Sequence, residues 1–323
     1  MKRIFLLAGL LVGSYTASAQ VYVSATGGYA WGVPSTKIGE ESINGKESVR
    51  FGTFGEGVNT QLRVGYFFNK TWGVDVSFGY LHGADQTIAR RKVDNASLRG
   101  LNASLDAEAI GRGRAYGAAL SVTYNFTDNF YGRFGFLTKI GGRTEVVAHS
   151  TTTIKGEIDN RTLAVLKTVI PSLSDVPAGA TINSGATIET TYTEDYKGKM
   201  PFGTIAALGY NYHVNEHLAI FAELEYMNIS VKRNYSDIKD FKQTLKATLN
   251  VGGQLVEKEI TLASLNNFKE DGSYQDFRGQ SYQKHVDYVE SATSEELSKP
   301  TKELTEKASY SSLGLNFGIK YTF

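Results

Sequence analysis

The feature that most constrains this chain is a two-residue alternation, broken by turns of about three residues and repeated along the sequence. Over 58–68, Val58, Thr60, Leu62, Val64, Tyr66 and Phe68 share one face, and Asn59, Gln61, Arg63 and Gly65 share the other. After Asn69-Lys70-Thr71, the residues Trp72, Val74, Val76, Phe78 and Tyr80 alternate with Gly73, Asp75, Ser77 and Gly79. Successive side chains of a strand point to opposite faces, so the pattern predicts two antiparallel strands joined by a tight hairpin. One face is apolar, the other polar or small. The unit recurs at 116–126 and 130–136 around Thr127-Asp128-Asn129, and at 202–212 and 218–226 around Val214-Asn215-Glu216. Single strands begin and end the chain, with Val21, Val23, Ala25, Tyr29 and Trp31 in the first and Leu313 and Leu315 opening the last.

This reading gives eight strands, an even number, with both chain ends on the side of the short turns. The predicted fold class is therefore all-β: an eight-stranded antiparallel transmembrane β-barrel with long extracellular loops. No later apolar run approaches the about 20 residues a membrane helix needs, so a membrane protein with this sequence must be a closed barrel. Aromatics mark two bands. Tyr66, Phe68, Trp72, Tyr124, Phe126, Phe130, Tyr210 and Tyr212 cluster beside the short turns, whereas Trp31, Tyr80, Tyr116 and Tyr226 lie near the opposite strand ends. Such rings favour membrane interfaces because they are amphipathic. A soluble β-sandwich would also alternate, but has no reason to band its aromatics.

Composition excludes other classes. The 34 Gly, 19 Tyr and 17 Phe, beside 3 Met and 5 Pro, fit many short strands. A formal charge of +1 supplies no basic face for nucleic acid, so no nucleic-acid partner is expected. With no Cys there are no disulfides or thiolate metal sites.

The N-terminus predicts the route of export. Lys2 and Arg3 precede a short apolar core, Ile4 to Val12, and Ala17-Ser18-Ala19 forms a small-residue cleavage site. Residues 1–19 read as a signal peptide and 20–323 as the barrel domain. Gln20 rather than Cys follows the cut, which argues against a lipid anchor.

Val64-Gly65-Tyr66-Phe67-Phe68, Leu208-Gly209-Tyr210-Asn211-Tyr212 and Phe317-Gly318-Ile319-Lys320-Tyr321-Thr322-Phe323 resemble strand endings of the small outer-membrane β-barrel superfamily, which includes the OmpA-type transmembrane domain and porin-like barrels. The resemblance implies a bacterial outer-membrane location with outer-membrane lipid as a partner. It also implies that Phe317, Ile319, Tyr321 and Phe323 act as the signal read by the barrel-assembly machinery. Gln after the cleavage site resembles exported proteins of Bacteroidota. The chain departs from the family pattern in two ways: no peptidoglycan-binding domain follows the last strand, and the loops are far longer than in the smallest members.

Inward-facing positions carry Arg63, Asp75, Arg133, Lys139, Glu223, Glu225 and Lys320 among small residues. The interior of an eight-stranded barrel is just wide enough for side chains to fill, and isolated buried charges are costly, so these seven are expected to pair into a plug. The alternative is a narrow or gated path for small solutes or ions. Loops are expected over 33–54, 83–112, 141–198 and 232–307, and loops this long usually carry function or are disordered. In the third, Leu163, Leu166 and Ile170 at helical spacing before Pro171 predict a short amphipathic helix. The fourth, with 12 Lys/Arg and 13 Asp/Glu, reads as solvated and partly helical. Arg90-Arg91-Lys92 in the second is a candidate contact for anionic lipopolysaccharide.

Signals for catalysis are poor. No G-x-S-x-G, P-loop, HExxH or calcium-loop pattern occurs, and His213 and His217 straddle a predicted turn. Neither a catalytic residue, a metal site nor a cofactor is expected. The function that follows is a non-enzymatic barrel anchoring surface loops that meet an extracellular ligand or serve envelope integrity. A narrow channel and a lipid- or peptide-modifying barrel enzyme are the alternatives.

Overall fold

The computed structural model describes residues 20–33, 36–98, 101–169, 173–174, 176–276 and 278–323. The expected signal peptide lies outside them, as do Ile170 and Pro171 of the expected helix. From β1 (Gln20–Gly32) the chain passes through a hairpin of β2 (Thr36–Ile43) and β3 (Lys46–Gly52) into β4 (Gly57–Phe67) and β5 (Trp72–Gly83). After β6 (Gln86–Leu98) come β7 (Leu101–Asn125) and β8 (Phe130–Ile154), each 25 residues long. Helix α1 (Asn160–Val169) leads to β9 (Thr181–Gly198), β10 (Gly203–His213) and β11 (Leu218–Asn228). A long hairpin follows, β12 (Ser230–Val251) with β13 (Gln254–Ser264). Then come β14 (Ser273–Gln275), β15 (Ser281–Gln283), β16 (His285–Val289), the one-turn helix α2 (Ser294–Leu297), β17 (Lys302–Leu304) and β18 (Lys307–Ser309). β19 (Ser312–Thr322) ends the fold.

The ladder returns on itself. β1 pairs with β4, then β5, β7, β8, β10, β11 and β19 follow in turn, and β19 pairs back with β1, every pairing antiparallel. Around this circuit the two-residue alternation separates two surfaces. On β4, Asn59, Gln61, Arg63 and Phe67 are buried, while Val58, Leu62 and Val64 are 52%, 66% and 57% exposed. The three short turns share one device. Asn69 Oδ1 accepts from the Thr71 and Trp72 N–H groups, Thr127 Oγ1 from Asn129 and Phe130, and Asn215 Oδ1 from His217 and Leu218. Each side chain stands in for backbone at the bend, which fixes the register of the strands it joins.

Two expectations need correction. Among the described residues the sheet holds 17 strands, eight of them in the closed circuit, so it is larger than the eight-stranded sheet expected. The segments 33–54, 83–112, 141–198 and 232–307 are largely strand rather than loop. Two glycine-containing dipeptides explain much of this. Asn44-Gly45 (φ 50° and 83°) turns β2 into β3, and Gly252-Gly253 (φ 61° and 88°) turns β12 into β13. Left-handed conformations at both central residues are what tight hairpins require. Among its described residues the fourth segment is helical only in α2 and one 3₁₀ turn.

β8, β9, β12 and β13 form a continuous outer sheet beyond the circuit. Its apolar core joins Ile154, Ile158, Ile182, Ile188, Leu245 and Leu249 to Leu163 and Leu166 of α1. The expected helix is thus present, started by Asp159, whose carboxylate accepts from the Thr162 N–H at 2.7 Å. A second cluster packs Phe241 against Phe268, Tyr274 and Tyr282. This outer part, a head on the closed circuit, has a core of its own.

Candidate functional site

Three layers of side chains fill the interior of the circuit. At the short-turn end lie Tyr22, Phe67, Tyr131 and Phe221, all buried. They fit because glycine stands opposite them: a Cβ on Gly65 would lie 2.2 Å from the Tyr22 ring, and one on Gly209 2.2 Å from that of Tyr131.

The middle layer is charged. Arg63 Nη1 and Nη2 grip Glu223 at 3.2 and 3.0 Å. Arg133 Nη2 reaches Glu223 at 2.8 Å and Glu225 at 2.5 Å. Asp75 lies 3.7 Å from Arg63 and 3.8 Å from Arg133, and accepts from Thr123 Oγ1 at 2.9 Å. Gln61 donates to Glu225 at 2.7 Å and the Tyr131 hydroxyl donates to Glu223 at 2.8 Å. Two guanidiniums therefore face three carboxylates: Glu223 and Glu225 each accept more than one hydrogen bond, whereas Asp75 accepts one, from Thr123, and faces both guanidiniums only at ion-pair range.

At the outer end the lumen is closed by segments that cross its mouth. Phe54 and Tyr310, both 4% exposed, pack with ring centroids 6.0 Å apart. The Phe54 N–H donates to the Ser309 carbonyl, and the Tyr310 N–H to that of Ile229. The Tyr310 hydroxyl lies 2.7 Å from Thr144 Oγ1. Leu81, Ala115, Ala119, Leu137 and Ile205 complete the apolar layer beneath.

Of the seven expected lumen charges, Arg63, Asp75, Arg133, Glu223 and Glu225 come together in one network. Lys139 and Lys320 do not, which corrects that part of the expectation. Lys320 Nζ lies 5.7 Å from the Tyr22 ring centroid and 5.9 Å from that of Tyr131; Lys139 Nζ lies 5.0 Å from that of Tyr310. Both ammoniums rest on aromatic faces instead of carboxylates. Residue type at an inward position does not reveal height along the lumen, and these two sit in the aromatic layers. Sequence reading missed Gln61, Tyr131, Phe54 and Tyr310. Tyr131 carried a visible signal: it is an aromatic on the polar face of its strand.

Elsewhere, the basic triplet is divided. Arg90 pairs with Asp106 and Glu108, and Lys92 lies 3.8 Å from Asp94. Arg91 has no ion-pair partner among the described residues and lines an outer groove with Tyr192, Tyr282 and Arg278. Arg278 anchors that groove's rim through Asp276, Thr152 and Thr190. Of the assembly-signal residues, Phe317, Ile319, Tyr321 and Phe323 all present exposed side chains on the outer face. His217 bonds the Thr322 carbonyl at 2.9 Å and stacks on Tyr321. Among the described residues no group of three or more His, Asp or Glu side chains is placed to hold a metal ion.

No protein-family model matches the chain, and no curated protein matches it. Among solved structures it is similar to CarO2 of Acinetobacter baumannii, at 11% identity and TM-score 0.25, covering 94% of this chain and 99% of that one. The outer membrane protein OprG of Pseudomonas aeruginosa aligns at 14% identity and TM-score 0.31, covering 95% and 97%. A major outer membrane protein of Thermus thermophilus aligns at 13% and 0.29, covering 94% and 99%. At such scores the superpositions are loose, and the fold stands on the strand pairings themselves.

Proposed function

We propose that the eight-strand circuit is a barrel embedded in a bacterial outer membrane, and that it anchors an extracellular β-structured head for surface interaction. The observation that carries this reading is the outer face of the circuit. Leu62, Phe78, Leu120, Phe134, Phe136, Leu208, Ile220 and Phe317 are each half or more exposed, side by side around a closed ladder. An apolar belt of that extent is unsuited to water and matches hydrocarbon. Trp72 and Tyr124, with rings 4.7 Å apart, sit at the short-turn rim, and Tyr80 and Tyr116, 4.9 Å apart, toward the other. Short turns face the periplasm in such barrels, which supports a head on the extracellular side.

Three closed layers favour an anchor over a pore, and among the described residues no reacting group is brought to an open cleft, which favours a non-enzymatic role. Refolded residues 20–323 in planar bilayers test the first point. Silence from protein with the gel mobility of a folded barrel is the expected result, whereas steady unitary conductance would replace the anchor by a channel. Removing residues 232–307 should abolish binding to any extracellular partner while the barrel still assembles.

A further inference from the structure

Between the charged layer and the outer seal lies a cavity of about 90 Å³. Leu81, Leu137, Met227, Ile229 and Tyr310 make it apolar, but Asn59, Gln61 and Lys139 also line it. Asn59 is 6% exposed, and neither its Oδ1 nor its Nδ2 has a hydrogen-bond partner among the described residues. Lys139 is half-buried and makes no ion pair among them; its ammonium lies over the Tyr310 ring, 5.0 Å from the centroid. A buried amide without partners and a sheltered ammonium without a carboxylate are both costly. Their convergence on one apolar space marks a site shaped for something that supplies both.

We propose that this cavity binds a short-chain carboxylate, with its head between the Lys139 ammonium and the Asn59 amide and its tail against Leu81, Leu137 and Met227. The carboxylate meets the ammonium and accepts from Asn59 Nδ2, a charge-assisted arrangement. An apolar cavity of about 150 Å³ holds benzene, so this smaller one suits a tail of about three or four carbons. A neutral alcohol of the same length lacks the charge for Lys139, and the matching ammonium ion is repelled by it. The wall is thin here: Gly79 on β5 and Gly117 on β7 are register partners and leave the space unfilled. A Cβ at Gly117 would meet the Thr138 carbonyl oxygen at an ordinary 3.5 Å, so a larger residue is tolerated there and occupies the cavity.

The test is butyrate binding to refolded residues 20–323 in lipid nanodiscs, by calorimetry and by saturation-transfer NMR, with n-butanol and butylammonium as comparators. Saturable butyrate binding is expected, weakened about tenfold or more by Lys139→Met and by Gly117→Val, with butanol weaker and butylammonium silent. Gly117→Val keeps the ammonium and removes the space, so the proposal stays testable if Lys139→Met fails to fold. Absence of saturable butyrate binding by folded protein, equal affinity for butanol, or unchanged binding in either folded variant overturns it.

Discussion

Arg63 and Glu223, 160 residues apart in sequence, meet as a two-pronged pair across the barrel interior at 3.0 and 3.2 Å. Their strands are not neighbours in the ladder: β1 and β19 lie between them along the shorter arc. The bond therefore braces the wall from inside. Arg133 touches the same carboxylate from β8, so Glu223 is the point where three separated strands are tied.

That geometry sets the cost of losing an arginine. Arg133→Met leaves Glu225 with Gln61 as its remaining close partner and strips one contact from Glu223. Breaking a buried pair from one side costs about 3–5 kcal/mol. Urea unfolding in lipid vesicles should show a lowered midpoint, and Arg63→Met should lower it less, since Arg63 has no direct bond to Glu225. An equal or reversed order would show that the network is not shared as described.

Opening the outer mouth should not open the barrel. Tyr310→Ala removes the ring that packs on Phe54 and the hydroxyl that meets Thr144, a change of about 3–5 kcal/mol for a buried aromatic. Protease cleavage within 300–311 should accelerate while bilayer conductance stays silent, because the charged layer remains below. Conductance appearing in this variant alone would move the seal from the ion pairs to the aromatic pair.

The head should fail separately from the barrel. Leu163→Ala in α1 creates a cavity at a residue 1% exposed and should cost about 2–5 kcal/mol there. Resistance of residues 141–264 to proteolysis should fall, with the heat-modifiable mobility of the barrel intact. Loss of both together would mean one cooperative unit.

His285 offers a pH reading in the head, away from the apolar belt. Its imidazole donates to Asp237 at 2.7 Å and to Asp287 at 3.3 Å. The bond to Asp237, followed by that to Asp287, raises its pKa above the ordinary 6.5, although burial opposes. A raised folded-state value means that the pairing of β16 with β12 gains fully below the unfolded pKa and loses that gain as pH climbs through the folded one. The side chain is half exposed, so solvent screens the effect and it should stay small. An NMR titration should place the His285 midpoint above 6.5 and see it drop in Asp237→Asn; a midpoint at or below 6.5 refutes the arrangement.

The wall of the eight-strand circuit was legible because its two faces demand different chemistry of every second residue, and Val58 through Phe68 show that pressure without interruption. The inward charges were legible for the same reason, as outliers on a face of small residues. The head was not. On β12 the exposed and buried positions lose the two-residue beat at bulges beside Arg233, Ile238 and Ala247, so 232–307 read as a solvated segment. Asn44-Gly45 and Gly252-Gly253 were the overlooked cues. Lys139 and Lys320 went wrong for another reason: parity gives the side a residue faces, but the partner depends on which inward residues of neighbouring strands share its level.

β7 and β8 each run as one strand from the apolar belt into the head, with a single bulge between them at Ile140, opposite Tyr116 and Gly117. At about 3.3 Å per residue, each 25-residue strand is roughly 80 Å long, where about 9–11 residues suffice to cross a membrane. Apart from that bulge, the same antiparallel ladder of amide bonds serves both anchor and crown. A partner pulling outward on the head loads that ladder lengthwise, so many bonds must shear together rather than open one after another. If the proposed membrane setting holds, the protein is built less like a float with streamers than like a post set in a socket, and the direction in which it presents its outer face is decided by how the circuit is seated.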